Sequence, residues 1–138
     1  MSGDAINDMI VSGRVWALGV PADEATRQVE LCIRNMGMLA RNFAAQGFDV
    51  VIEHVIALAS EIDDLATVLA PYACHLFVLD PGETIAQQRN HGRNPQERVE
   101  YDAAALMSVM RQELGNRGRW LDNAQMSAEV KAALVLSG

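Results

Sequence analysis

Apolar residues recur at every third or fourth position between residues 23 and 46, and this spacing predicts a long amphipathic helix. Gly47 follows the pattern as a helix terminator. The apolar face of the predicted helix carries Val29, Cys32, Ile33, Met36, Leu39, Ala40 and Phe43. Further helices are predicted over 4–12, 57–69, 82–90 and 97–114 and from Ser127 onward.

Two continuous runs of apolar residues predict buried strands. Residues 48–56 read FDVVIEHVI, and residues 73–79 read ACHLFVL. Runs of this kind suit parallel strands that are covered on both faces. Trp120 and Leu121 predict a short third strand, and residues 12–21 are predicted to form a loop.

The order of these elements predicts the fold class α/β, with a layered domain over residues 1–138 and a parallel sheet. Ligands of such sheets bind beyond the carboxyl ends of the strands. We therefore expect Glu53 with His54, Asp80, and Asp122 with Asn123 to meet at one opening. His75 falls inside a predicted strand and is expected to be a core histidine.

Charge and composition exclude several classes of protein. The net charge is −7 and the pI is near 4.8, so bulk nucleic acid binding is not expected. No apolar run is long enough to span a membrane. The first residues lack the pattern of a signal peptide, which predicts a cytoplasmic protein. Cys32 and Cys74 have no metal-ligand spacing, and both are expected to be buried.

Positive charge is concentrated after the second predicted strand. No Lys or Arg occurs between residues 48 and 80, whereas Arg89, Arg93 and Arg98 follow within the lid-like segment 80–98. Arg89 and Arg93 are four residues apart, so one helical face would present both guanidinium groups to a phosphate chain. The alternative is an exposed helix in which these arginines form ion pairs with Glu83, Glu97 and Glu100.

Four stretches resemble the P-loop small-molecule and nucleotide kinases, a group that includes chloramphenicol phosphotransferase-like, zeta-toxin-like and AAA-type ATPase-like kinases. They are SGDAI at 2–6, GFDVVIEHVI at 47–56, LDPGETIAQQRNHGR at 79–93 and GRWLDNAQMSAEV at 118–130. The resemblance implies a three-layer fold with a mainly parallel sheet. It also implies transfer of the γ-phosphoryl group of ATP, assisted by Mg²⁺, to a hydroxyl group of a small molecule or nucleotide.

The resemblance also implies roles for individual residues. Asp4 would be the general base for the acceptor hydroxyl, and Glu53 would hold Mg²⁺. Arg89 and Arg93 would neutralise the phosphates. Asp4 as a helix cap and Glu53 as a solvated strand end are the structural alternatives.

Four more residues complete the implied site. Arg14 and His54 would contact the acceptor, and Asp122 and Asn123 would border the adenine. A turn with local side-chain hydrogen bonds explains Asp122 and Asn123 equally well.

One departure from these kinases is large. Their G-x-x-x-x-G-K-[ST] loop is missing, and the only lysine is Lys131. We therefore expect an N-terminally truncated kinase fold without the first strand, the loop and the first helix. Loss of a central strand would open strand edges and apolar surface, which predicts marginal stability or a homo-oligomer that covers them.

Three functions remain open from the sequence. The first is an ATP-dependent kinase of a small molecule, which is not expected to act alone without the phosphate-binding loop. The second is a kinase-like binding or regulatory module that self-associates through an open sheet edge. The third is an enzyme with unrelated chemistry, because a fold does not determine function.

Overall fold

Helices account for most of the regular structure. The computed structural model describes residues 1–99 and 101–136. Their α-helices are α1 (Gly3–Asn7), α2 (Ala22–Ala44), α3 (Ala59–Leu69), α4 (Glu83–His91), α5 (Ala103–Leu114) and α6 (Ala128–Leu136). A 3-10 helix spans Pro95–Glu97, and the strands are β1 (Phe77–Asp80) and β2 (Arg119–Asp122). The chain divides into two compact units, Met1–Cys74 and His75–Gly138.

The first unit is built on the predicted long helix, which the structure confirms as α2. Its apolar stripe buries Cys32, Ile33 and Met36, and Met36 has no exposed surface. Ile6 of α1 completes this core. Four partly buried residues pack against it: Met1, Val29, Ile52 and Leu65.

Helix α3 packs closely on α2 at Gly37. A Cβ atom at this position would lie 2.9 Å from Val68 Cγ1 and 3.1 Å from Leu65 Cδ1. The start of α3 is capped by Glu61, whose carboxylate accepts hydrogen bonds from the N–H groups of Ala57 and Leu58 at 2.8 and 2.9 Å. The helix predicted over 57–69 is therefore confirmed, with a start two residues later.

The second unit contains the parallel strand pair. In its register Phe77 lies opposite Arg119 and Asp80 lies opposite Asp122. Val78 and Leu121 are buried. At Gly118, which has a φ of +74°, a Cβ atom would lie 2.7 Å from the carbonyl oxygen of Leu76, so the chain can enter β2 only with glycine at this point.

The predicted fold class, a three-layer α/β domain with a mainly parallel sheet, is wrong. The only sheet in the described residues has two strands. Residues 48–56 form no strand, and Glu53 makes a single isolated parallel bridge with Ser2. A ladder needs a partner along its whole length. Among the described residues, the only long-range backbone hydrogen bonds of this segment are those with Met1–Gly3, so it joins no sheet.

Smaller predictions were also wrong. Cys74 and His75 are exposed, because β1 begins at Phe77 and the segment before it is not covered. The helix predicted over 97–114 begins at Ala103, where Asp102 caps it by accepting hydrogen bonds from the N–H groups of Ala104 and Ala105. Cys32 is buried, as predicted.

Much apolar surface of the first unit faces solvent. The loop between α1 and α2 exposes 94% of Val11 and 71% of Trp16. Other exposed large apolar residues of this unit are Met9, Leu18, Val20, Met38, Phe43, Phe48, Val51 and Val55. Among the described residues, no helix combines the length and the apolar character that crossing a membrane requires.

Gly37→Ala tests the close packing of α2 on α3. We expect the free energy of unfolding to fall by about 1–2 kcal/mol, because the added methyl group must displace Val68 and Leu65. The higher helix propensity of alanine, worth about 1 kcal/mol, acts in the opposite direction and is included in this range. Urea denaturation followed by far-UV circular dichroism measures the change.

Asn42→Ala is the matched control, since Asn42 is exposed on the same helix. It should leave stability unchanged or raise it slightly. A Gly37→Ala variant as stable as the wild type would show that α3 does not pack on α2 at this distance.

Candidate ligand-binding site

The register of the strand pair places two carboxylates at one edge. Asp80 ends β1 and Asp122 ends β2, and the two residues are direct partners in a parallel ladder. Both strands therefore end at the same side of the second unit. This edge is where ligands bind in parallel sheets.

Asp80 is the most constrained side chain at this edge. Its Oδ1 accepts a hydrogen bond from the N–H of Gly82 at 2.9 Å, which fixes the turn into α4. Its Oδ2 accepts from Arg111 Nη2 at 2.6 Å and from Arg111 Nε at 3.2 Å. Burial raises the pKa of Asp80, but the hydrogen bonds from Arg111 and Gly82 and the charge of Arg111 together lower it below its ordinary value.

Arg89 ties α4 to the segment that follows β2. Its Nη2 donates to the carbonyl oxygens of Asn123 and Ala124 at 2.9 and 3.0 Å. Within the described part of the chain, Nη1 and Nε of Arg89 have no hydrogen-bond partner. The side chain is therefore held in place at one end of its guanidinium group and can donate with the other.

Two buried polar side-chain atoms at this edge have no partner among the described residues: Trp120 Nε1, within β2, and Asn123 Oδ1, in the residue that follows β2. Asn123 is only 4% exposed. Asp122 Oδ1 accepts a hydrogen bond from the N–H of Ala124 at 3.0 Å. This contact is the local turn that the structural alternative predicted for Asp122.

The ends of β1 and β2 and the residues next to them border an open cleft of about 390 Å³. It is lined by Asp80, Pro81, Gly82, Arg111, Trp120, Leu121, Asp122 and Ala124. The lining carries two carboxylates and one guanidinium group, so it holds more negative than positive charge. Such a lining suits hydrogen-bond donors, for example hydroxyl or amino groups, better than a bare phosphate.

Arg93 does not share a helical face with Arg89, contrary to the prediction. Helix α4 ends at His91, and Arg93 lies beyond the C-cap residue Gly92. Arg93 is exposed, and its side chain makes no hydrogen bond or ion pair with any described residue. Arg89 therefore lies in α4, whereas Arg93 lies in the segment that follows the helix.

The predicted ion pairs of the arginine segment are not found in the described residues. Glu83 accepts a hydrogen bond from Gln87 at 3.2 Å. Arg98 donates to the carbonyl oxygens of His91 and Arg93 at 2.8 and 3.3 Å. The side chain of Glu97 and the whole of Glu100 lie outside the described residues.

The remaining predicted site residues belong to the first unit. Asp4 lies in the first turn of α1 and is exposed, and Ser2 occupies the cap position that was predicted for Asp4. Glu53 exchanges two backbone hydrogen bonds of 2.8 Å, its N–H donating to Met1 and its carbonyl accepting from Gly3. His54 lies against Gly3, where a Cβ atom would be 2.0 Å from its Nδ1.

A metal site built by the protein around Glu53 is not supported. Among residues 1–99 and 101–136, no group of three or more His, Cys, Asp or Glu side chains could hold a metal ion. The strand end on which the prediction rested is also absent. A single exposed carboxylate does not fit Mg²⁺ without other oxygen ligands.

Arg14 belongs to a loop that side-chain hydrogen bonds hold on α2. Its guanidinium group pairs with Asp8 and lies 5.1 Å from the centre of the Trp16 ring. The buried Gln28 holds this loop on α2, because its Oε1 accepts from the N–H of Val15 and its Nε2 donates to the carbonyl of Gly13, both at 2.8 Å.

Glu24 holds Gln28 in this orientation by accepting a hydrogen bond of 2.6 Å from its Nε2. Hydrogen bonds from Arg27 and Gln28 lower the pKa of Glu24 to about 2. The carboxylate is therefore charged throughout the physiological pH range, and the loop stays anchored.

Sequence reasoning missed Arg111, Trp120 and Gln28. Arg111 and Asp80 are far apart in sequence, and no local pattern announces their pairing. Gln28 could have been singled out in the sequence, because it is a polar residue adjacent to the apolar face of α2. Its partners could not, because they lie in a loop without periodicity.

Comparison of the chain with protein-family models, with curated proteins and with solved structures finds no match. The kinase resemblance therefore stays a prediction.

Gln28→Leu tests the anchoring of the loop. We expect trypsin to cleave after Arg14 faster than in the wild type, because Val15 and Gly13 lose their partners. The free energy of unfolding should fall by about 1–2 kcal/mol, the net value of the lost hydrogen bonds, since the groups of Val15 and Gly13 are partly exposed. Mass spectrometry of timed digests measures the cleavage. Gln46→Leu, at an exposed glutamine, is the control, and equal cleavage rates in both variants would exclude the anchor.

Arg111→Gln tests the ion pair at the strand ends. Arg111 lowers the pKa of Asp80, so the pair stabilises the folded state above the ordinary carboxyl pKa of 3.8, and this stabilisation is lost as the pH falls below that value. At neutral pH, Arg111→Gln should lower the free energy of unfolding by only about 1 kcal/mol, because ion pairs of partly exposed arginines are weak.

The measurement is the melting temperature of both proteins across acidic and neutral pH. The difference between them should be largest above pH 3.8 and should shrink below it. Arg34→Gln, which removes an exposed arginine on α2, should show no such dependence. A constant difference at every pH would contradict the pairing of Asp80 with Arg111.

Proposed function

We propose that this chain is the nucleotide-binding part of an ATP-dependent phosphotransferase, which transfers the γ-phosphoryl group of ATP to a hydroxyl group of a small molecule or nucleotide. The observation that carries the proposal is the cleft at the carboxyl edge of β1 and β2. Trp120, Asp80, Asp122 and Arg111 are among the residues that line it.

The cleft suits the nucleoside part of ATP. Its volume of about 390 Å³ lies within the usual range for small-molecule sites. Asp80 and Asp122 offer acceptors for ribose hydroxyl groups, and Trp120 is also a lining residue. Asp122 and Asn123 keep the role next to adenine that the resemblance implies.

The phosphates are assigned to arginines outside the cleft. Arg89 is bonded to the carbonyl of Ala124, which itself lines the cleft, and so lies beside the nucleoside. Its Nη1 and Nε can donate to a phosphate oxygen. Arg93 is exposed and follows on the next segment, so we assign it to the end of the phosphate chain.

The acceptor side of the reaction is assigned by resemblance alone. Asp4 would accept the proton of the hydroxyl group, and Arg14 and His54 would contact the acceptor molecule. Bound Mg²⁺ would neutralise phosphate charge in this chemistry, and Glu53 is its protein contact by resemblance only. Because Glu53 alone does not fit a metal site, no step of the proposal depends on the ion.

We expect binding without turnover from these residues alone. The sequence has no G-x-x-x-x-G-K-[ST] stretch, whose backbone N–H groups and lysine position the β- and γ-phosphates. We also propose a cytoplasmic location, where ATP is available. Cys32 and Cys74 are both free thiols, which suits a reducing compartment.

Fluorescence of Trp120 tests the proposal. The chain has two tryptophans, so Trp16→Phe leaves Trp120 as the only indole reporter. In this background we expect ATP and adenosine to change the Trp120 emission with a millimolar dissociation constant. Arg89→Gln also removes the contacts of Arg89 with the carbonyls of Asn123 and Ala124, so both ligands should bind more weakly. The loss for ATP should be about tenfold greater than the loss for adenosine, the value of one charged hydrogen bond to phosphate.

Two further variants sharpen the result. Arg93→Gln should weaken the binding of ATP less than Arg89→Gln does. Arg34→Gln, on α2, should have no effect on binding. The absence of any response to either ligand would exclude nucleotide binding at this cleft. Equal weakening of ATP and adenosine by Arg89→Gln would show that Arg89 does not contact phosphate.

A second candidate function is a binding module that pairs an open backbone edge with another chain. One observation favours it: within the described part of the chain, the backbone of residues 49–56 is hydrogen-bonded to other backbone only at Met1–Gly3. An extended segment of this kind is a template for strand addition. The predicted homo-oligomer is one form of this function.

A further inference from the structure

Residues 49–56 have the side-chain pattern of a strand although they belong to no sheet. Every second residue is exposed, namely Asp49, Val51, Glu53 and Val55. The residues between them are partly buried, namely Val50, Ile52, His54 and Ile56. This alternation is the period of an extended backbone with one inner and one outer face. Ile52 packs against the core of the first unit, which identifies the inner face.

One edge of this segment is paired and the other is not. The Met1 ammonium donates to the carbonyl of Val51 at 2.6 Å, and Glu53 exchanges hydrogen bonds with Met1 and Gly3. Because successive residues of an extended chain point their N–H and C=O groups to opposite edges, Val50, Ile52 and His54 point theirs away from Met1–Gly3. Among the described residues, these groups have no hydrogen-bond partner.

The outer face determines which chemistry fits the open edge. It alternates carboxylate and valine through Asp49, Val51, Glu53 and Val55. Side chains directly opposite each other on neighbouring strands interact, so a stable partner needs cations opposite the two carboxylates and apolar groups opposite the two valines.

A second copy of this chain does not meet that need. Residues 48–80 contain no Lys or Arg and six carboxylates, namely Asp49, Glu53, Glu61, Asp63, Asp64 and Asp80. Two such edges would bring like charges together without a compensating cation. The net charge of −7 adds repulsion between whole chains.

We propose that the open edge of residues 50–54 binds an extended segment of another protein, one face of which carries Lys or Arg and Val or Ile in alternation. The segment adds as a strand, its backbone pairs with Val50, Ile52 and His54, and its cations lie opposite Asp49 and Glu53. This inference rests on the binding-module function proposed above and names the class of partner.

Fluorescence anisotropy with labelled peptides tests the inference. The probes are short peptides with alternating Lys and Val on one face and Thr on the other, made in both sequence directions. At least one direction should bind the full-length chain. Only one edge of an added strand is paired, so only every second backbone N–H of the peptide donates to the protein. Methylating the nitrogens of that set of residues should weaken binding of the peptide by about tenfold, and methylating the other set should have little effect.

The charge contribution is tested on the protein. Asp49→Asn combined with Glu53→Gln should weaken binding by about fivefold. The matched control is Asp64→Asn combined with Glu113→Gln, which makes the same change in net charge at exposed positions elsewhere and should leave affinity unchanged. Equal weakening by both pairs would overturn the proposed contacts, as would equal sensitivity to the two methylation patterns.

Light scattering without peptide separates this inference from the function on which it rests. A monomer that binds the peptide supports both. A dimer that the Asp49→Asn and Glu53→Gln pair strengthens would show that a second copy fills the edge, which overturns the inference and keeps the binding-module function. A monomer that binds neither peptide overturns both.

Discussion

The parallel pairing of β1 with β2 is the constraint on which the candidate site depends. Its register ends both strands at Asp80 and Asp122, so two distant stretches of sequence meet at one edge. The ion pair from Arg111 and the two carbonyl contacts of Arg89 then fix α5 and α4 against this edge. The cleft follows from these contacts.

In the first unit, residues 48–56 are paired along only a small part of their length. Residues 48–56 have the β-branched composition of a buried strand, but their only long-range backbone hydrogen bonds among the described residues are those with Met1–Gly3. The segment keeps the alternation of a strand and leaves one edge and one face open. The carboxylates on that face favour a partner strand that carries cations.

Local patterns predicted the helices well and the sheet poorly. The stripe of α2 is periodic over many turns, so its position and its buried face, including Cys32 and Met36, could be read from the sequence. A strand depends on neighbours that no local pattern contains, and residues 48–56 therefore misled the fold class. Asp80 and Asp122 were expected at one edge for the right reason. Arg111 could not be foreseen, because its partner lies 31 positions away.

Nuclear magnetic resonance of the isotope-labelled chain during titration with ATP tests the central claim most directly. The account predicts shifts of backbone signals that cluster at Gly82, Arg89, Arg111 and residues 120–124, with smaller changes in the first unit. Shifts confined to other residues, or none at saturating nucleotide, would contradict a nucleotide site at the carboxyl edge of β1 and β2.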